Sequence, residues 1–273
     1  MQVLVKVVIY IVLLYAIVLL VTYIFQRKLI YVPERVDTIT PAEWGVAEMQ
    51  VVMLHTSDNI NIAVWYRKAD PHKPTVVFMH GNAGHIGHRI LNIKPFLQHG
   101  YGVLLIDYRG YSTNSGKPSE QGLYRDARAA MQFLQQQSVA CQDIILHGES
   151  LGSAVAVQMA TEFPVSLLVL QAPFNRLSDV GKAHYPFLPV HILLKDEFDS
   201  ESKIADIKMP LLILHGDSDS IVPMQLSKKL FAIAHQPKRY IEYPGLHHND
   251  IDPNKIAEEV ILYYQQNKES TYR

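Results

Sequence analysis

The chain has 273 residues, room for one large domain or two small ones on a norm of roughly 100 to 200 residues per domain. Hydrophobic residues make up 48% and charged residues 19%, so a substantial core can be buried and a disordered polymer is excluded. Lys and Arg total 25 against 26 Asp and Glu, which leaves no global basic field and no expected nucleic-acid partner, and the single cysteine, Cys141, excludes an internal disulfide or a Cys-pair metal or redox motif.

The first predicted element is Val7 to Phe25, an uncharged run of 19 residues. As a helix rising about 1.5 Å per residue it matches the ~30 Å hydrocarbon thickness of a bilayer. Gln26-Arg27-Lys28 follows it, where a cleaved signal peptide would carry small residues. The run is apolar all round rather than on one face, so residues 1–28 read as an uncleaved single-pass anchor lying outside the catalytic core. Lys6 and the amino terminus on one flank nearly balance Arg27, Lys28 and Arg35 on the other, so the side of the membrane stays open.

From residue 46 onward, short β-branched runs alternate with helix-length stretches, the pattern of parallel βαβ units. Met49 to Leu54 and Ile60 to Tyr66 flank the turn-forming Ser57-Asp58-Asn59 and predict an antiparallel hairpin at one sheet edge. Further strands are predicted at 75–79, 103–106, 144–147, 167–170, 211–214 and 240–243, apolar enough to be covered on both faces. Helices are predicted over 121–137, 150–162 and 224–234, with a last one after Asp252-Pro253, a cap residue followed by proline at the first helical position. The result is an α/β fold with a mostly parallel sheet of about eight strands and helices on both faces. Residues 171–210 break the rhythm with four prolines and no strand pattern; an inserted lid and a long crossover fit that interval equally.

Ile144-Ile145-Leu146-His147 leads into Gly148-Glu149-Ser150-Leu151-Gly152 and then a helical run. This is G-x-S-x-G between strand and helix, where glycines permit a sharp elbow that lifts the serine into a site. Ser150 is therefore the candidate nucleophile. A serine hydroxyl needs a base, and the base needs an acid to fix its tautomer. Both are expected later in the chain, at strand C-terminal ends. His215-Gly216-Asp217-Ser218-Asp219 and Leu246-His247-His248-Asn249-Asp250 supply them, with Asp217 against Asp219 and His247 against His248 left open by spacing. His80-Gly81-Asn82-Ala83-Gly84 follows an earlier strand, so the Asn82 and Leu151 amides are the expected oxyanion donors. His80 reads as a structural loop residue, and Arg109 as a loop-fixing ion pair rather than an anion site.

These segments, with DYRGY at 107–111 and GKPSEQGLYRDA at 116–127, resemble the α/β-hydrolase superfamily over roughly residues 46–266. Within it, the chain looks like membrane-anchored bacterial serine hydrolases related to eukaryotic α/β-hydrolase-domain protein depalmitoylases. The resemblance implies Asp219 as the acid and His248 as the base, no metal and no organic cofactor, a lipid-like acyl substrate, and a bacterial inner-membrane location. Ser112 and His85 stand where that family commonly has glycine and asparagine, which puts transfer of substrate preference in doubt. The expected function is hydrolysis of carboxylic esters or thioesters through a Ser-His-Asp triad and an acyl-enzyme. A peptidase or amidase with the same triad is the alternative, and a non-catalytic, membrane-tethered binding protein is the second. Oligomeric state is not legible.

Overall fold

The computed structural model describes residues 1–271. An eight-stranded sheet organises the chain: β1 (Gln50–His55), β2 (Asn61–Arg67), β3 (Thr75–Met79), β4 (Gly102–Leu105), β5 (Ile144–Glu149), β6 (Leu167–Gln171), β7 (Leu211–Gly216) and β8 (Lys238–Tyr243). Their spatial order is β8-β7-β6-β5-β3-β4-β2-β1. The predicted hairpin pairs antiparallel with Val52 opposite Val64, and β2 joins the rest through an antiparallel pairing with β4. All other pairings are parallel. Parallel strands need covering on both faces, and the residues comply. Val77 and Met79 point into one core with Ile144, Leu146, Leu211 and Ile213, while Val76 and Phe78 point into the other with Ile145, Leu212 and Leu214.

Helices α3 (Glu120–Gln136) and α4 (Leu151–Glu162) cover the first face, and α2 (Ile90–Gln98) and α9 (Pro253–Thr271) the second. Ser119 caps α3 through the Gly122 amide at 3.2 Å, which satisfies one of the donors every helix start leaves open. Helix α2 is an addition to the sequence expectation. Pro95 sits inside it and interrupts the helical signal by removing a donor, yet Ile93, Phe96 and Leu97 are buried against the sheet. Helix α8 (Met224–Ile233) lies between β7 and β8.

The interval 171–210 holds three short helices, α5 (Leu177–His184), α6 (Val190–Leu193) and α7 (Glu201–Ile204), and no strand beyond the end of β6. It therefore stands over the C-terminal ends of the strands as a small helical cap. The N-terminal helix α1 (Gln2–Ile30) is long and apolar enough to cross a membrane, and it continues two residues beyond the boundary expected at residue 28. Its last turns are tied to the cap. Gln26 hydrogen-bonds the Leu193 carbonyl at 2.9 Å and the Lys195 amide at 2.7 Å. Arg27 holds the Asp196 carboxylate with two nitrogens at 2.7 and 2.9 Å. The end of α1 is thus packed against the α/β domain through residues 193–196.

Candidate active site

The end of β5 turns sharply at Ser150, whose backbone adopts φ 51 and ψ −117, a sparsely populated region that costs of order 1–3 kcal/mol and persists only where the surroundings enforce it. Close approach is what enforces it. A Cβ on Gly148 would strike the Gly152 backbone, and a Cβ on Gly152 would strike the Met79 carbonyl. The Ser150 amide donates to the Gln171 carbonyl at 2.9 Å, and its carbonyl accepts from the Ser153 amide at 2.9 Å. The two glycines of the motif therefore permit α4 to press against β3 while the serine is held at the rim.

The structure brings Asp219 and His248 together and leaves their neighbours apart. His248 Nδ1 lies 2.6 Å from Asp219 Oδ2. Asp219 Oδ1 accepts from the Ile221 and Val222 amides, both at 2.8 Å. Because an ionised carboxylate only accepts, His248 carries its proton on Nδ1 and presents a bare Nε2. Burial by itself would raise the Asp219 carboxyl, but the hydrogen bonds from His215 and His248 and the Val222 amide outweigh it and hold the group well below the usual carboxylate range. Asp217, by contrast, is exposed and accepts from the Gly245 amide and the Ser218 hydroxyl. His247 is exposed and bonds the Ser218 carbonyl at 2.7 Å. Both fix the turns that bring the two loops together.

His215 was not singled out by its sequence pattern. Its Nε2 lies 3.1 Å from Asp219 Oδ2 and 3.0 Å from the Val222 carbonyl, so it donates there and leaves a buried Nδ1 without a partner among the described residues. Its position four residues before Asp219, at the end of a buried strand, is the available signal. His80 is buried, with Nδ1 2.7 Å from the Gly81 carbonyl and its ring against Tyr108. Arg109 is the loop-fixing ion pair, bridging Asp58 at 2.7 Å and Asp126 at 2.8 Å. Its hydrogen bonds lower the Asp58 carboxyl well below the ordinary range.

Asn82 and Leu151 flank the serine. Leu151 opens α4, so its amide is one of the four with no intrahelical acceptor. Asn82 is held from three directions: its side chain donates to the Ile30 carbonyl at 2.7 Å, and its carbonyl accepts from the Val32 amide at 2.9 Å and the Tyr111 hydroxyl at 2.7 Å. Two of those three groups come from the end of α1 or the residues just after it. Ser112, with φ 44, accepts from the Ile86 amide at 3.3 Å and supports the same loop.

Two cavities meet at Ser150. One is apolar and lined by Leu29 and Ile30 of α1, Leu177 and Val180 of α5, and Val190 and Leu194 of the cap, with Asn82, Ser150 and Ile221 at its end. The other is polar and lined by Gly81, His88, Arg89, Glu149, His248 and Asn249, again with Asn82, Ser150 and Ile221. Arg89 pairs with Glu149 at 3.1 Å. Among the described residues no side chain hydrogen-bonds the Ser150 hydroxyl, although it shares the polar cavity with His248. Among the described residues one group, Glu34 with His85 and His88, brings three donor atoms close enough for a cation. His85 Nδ1 already accepts from the Gly87 amide, so its Nε2 bears the proton and is not a ready ligand.

The sequence matches the hydrolase family described as serine aminopeptidase, S33, over residues 70–195 and 190–251. The chain belongs to this family of α/β hydrolases. An uncharacterized protein of Mycobacterium tuberculosis is 43% identical to this hydrolase over 238 residues, 84% of this chain and 83% of that protein. The lysophosphatidylserine lipase ABHD12 of Danio rerio is 31% identical over 257 residues, 78% of this chain and 67% of that protein. An esterase of Pyrococcus furiosus shares the fold with a TM-score of 0.69 at 18% identity, over 87% of this chain and 97% of its own. Lipase-like relatives and an esterase-like fold agree that the chain is a hydrolase.

Proposed function

We propose that this chain is a membrane-anchored serine hydrolase, with α1 in the bilayer, that cleaves the ester or thioester of a long acyl chain joined to a polar head. The observation that carries the reading is the meeting of an apolar and a polar cavity at one serine, which suits an amphiphile whose scissile carbonyl lies between its two halves. Ser150 Oγ attacks that carbonyl while His248 Nε2 takes the hydroxyl proton. Asp219 holds His248 in the required tautomer and stabilises the imidazolium. The Asn82 and Leu151 amides donate to the oxyanion of the tetrahedral intermediate. His248 returns its proton to the leaving alcohol or thiol as the C–O or C–S bond breaks, leaving an acyl-enzyme on Ser150. Water, deprotonated by His248, then releases the acid and restores the serine.

An aminopeptidase would need a free carboxylate in the polar cavity for the substrate's α-amine. Glu149 lines that cavity but is engaged by Arg89 and by Asn92 at 3.3 Å, which favours the acyl-ester reading. Two measurements test it. Ser150→Ala is expected to abolish labelling by a fluorophosphonate and all hydrolysis without loss of fold; labelling that persists in the folded variant refutes the nucleophile. A panel of esters and amides of rising acyl length is expected to show kcat/KM increasing with chain length and esters preferred; preference for short aminoacyl amides refutes the substrate class.

A further inference from the structure

The cap segment Tyr185–Leu194, YPFLPVHILL, contains no Asp, Glu, Lys or Arg. Val190 and Leu194 line the apolar cavity, and Tyr185 reaches its edge while standing 55% exposed. Phe187 and Ile192 do not line it and stand 63% and 82% exposed. A cap between a cavity and water needs one apolar side only; one that is apolar on both sides fits a surround that is itself apolar.

The register of this segment along α1 gives its depth. Tyr15 of α1 donates to the Phe187 carbonyl at 2.7 Å. Tyr23 carries the Lys195 ammonium over its ring at 4.0 Å, and Arg27 pairs with Asp196 at 2.7 Å. Residues 187–196 thus run parallel to α1, from the Tyr15 level to the Arg27 level. Twelve residues of helix separate those levels, about 18 Å at 1.5 Å per residue, which is more than half of a ~30 Å hydrocarbon core. The charges cooperate: Arg27, Lys28, Lys195 and Asp196 gather at one end, where a head-group boundary would fall, and His191 lies 3.8 Å from Asp179 of α5.

Backbone amides decide whether such a segment tolerates hydrocarbon. The Tyr185, Leu188, Val190, Ile192, Leu193 and Leu194 amides all donate to carbonyls of residues 181–190. Pro186 and Pro189 have no N–H to satisfy. The segment therefore carries most of its hydrogen bonds internally.

We infer that Tyr185–Leu194 is a membrane-immersed cap lying against α1, so that the apolar cavity opens within the leaflet and receives the acyl chain of a single-chain lipid sideways from the bilayer. The inference rests on the membrane-anchored reading of α1 proposed above. Lateral transfer spares the substrate from leaving the bilayer for water, a step whose cost rises with every methylene exposed. The head group then lies in the polar cavity, nearer the aqueous side.

The test uses the full chain carrying Ser150→Ala, reconstituted in phosphatidylcholine vesicles. One tryptophan is added as Phe187→Trp or, separately, as Leu14→Trp in α1, and the signal of Trp44 and Trp65 is subtracted with the parent protein. Both added tryptophans are expected to lose at least half their fluorescence in vesicles of chain-brominated phosphatidylcholine and to resist aqueous acrylamide. Quenching at position 14 with acrylamide-accessible fluorescence at position 187 overturns the immersed cap and leaves the anchor standing. Acrylamide access at both positions overturns the anchor reading and the cap with it. In the active protein, Phe187→Asp with Ile192→Asp is expected to lower kcat/KM at least tenfold on a long-chain lysophospholipid in vesicles and leave a short soluble ester unchanged. Undiminished hydrolysis of the vesicle substrate refutes lateral access.

Discussion

Asp219→Asn tests the relay at its most constrained atom. The carboxylate receives four donors: the Ile221 and Val222 amides on Oδ1, and His248 Nδ1 and His215 Nε2 on Oδ2. An asparagine must put its NH2 on one side. Facing the two backbone amides it would set N–H against N–H at 2.8 Å twice, so the NH2 faces the imidazoles instead. His248 Nδ1, which has no other acceptor nearby among the described residues, must then accept. His248 becomes the Nε2–H tautomer and can no longer take the Ser150 proton, while His215 keeps its Nε2 proton on the Val222 carbonyl and loses its contact with residue 219. The acid-to-amide change in such a relay costs about ten-thousandfold in turnover, or about 5 kcal/mol of transition-state stabilisation. The assay is kcat/KM on a short soluble ester, with a thermal melt confirming the fold. Asp217→Asn, which keeps an acceptor for the Gly245 amide, is expected within about twofold of the parent, as for other surface substitutions. A folded Asp219→Asn enzyme that loses less than tenfold would refute the tautomer argument.

His248→Ala is expected to lose about a thousandfold or more in kcat while the exposed His247→Ala loses little, and equal losses in the two folded variants would remove the basis for assigning the base. A chain beginning at residue 28 lacks Gln26 and Arg27 and strands the buried Asp196 carboxylate with Tyr31 alone. Since Arg27 is itself half exposed, the loss is discounted to about 1–2 kcal/mol, seen as a Tm lower by several degrees and as weaker hydrolysis even of short esters; full activity and unchanged Tm would show that α1 only tethers. The Asp58 carboxyl is depressed by Arg109, so its stabilising contribution is present above the unfolded value near pH ~3.9 and is lost as pH falls toward the folded value. Asp58→Asn should therefore lower Tm at neutral pH and flatten its fall between about pH 5 and 2, and an unaltered acid slope would contradict the pairing.

What could be read from the sequence was what short-range chemistry dictates. Thr75–Met79 appears as a strand with the expected bounds because a β-branched apolar run has few other uses. The G-x-S-x-G elbow was legible because its glycines are required by backbone contact. Spacing could not choose between Asp217 and Asp219, since both follow the same strand by a few residues; the choice depends on how the loop folds back to offer the Ile221 and Val222 amides. The last strand begins at Lys238, two residues before the expected start, because a half-buried edge strand need not be apolar. Helix α2 was hidden by Pro95 and His215 by its ordinary place at a strand end.

The largest departure concerns α1, and its cause is the scale at which hydropathy is read. A window of about twenty residues detects that the helix is apolar but averages away its few polar side chains. Those side chains are the ones that matter here: Tyr15, Gln26 and Arg27 each bond to the cap, from 167 to 172 residues away in the chain. Asn82 then returns the contact through the Ile30 carbonyl, so the loop proposed to supply one oxyanion donor rests on the end of the same helix. With α1 in the bilayer as proposed, an unsatisfied polar group on it would be costly, and these three are satisfied by one segment of the cap. On the proposed function, membrane position and cavity shape are coupled: a shift of α1 along its axis would strain the Arg27–Asp196 and Asn82–Ile30 contacts together, altering the proposed acyl wall and oxyanion loop in one movement.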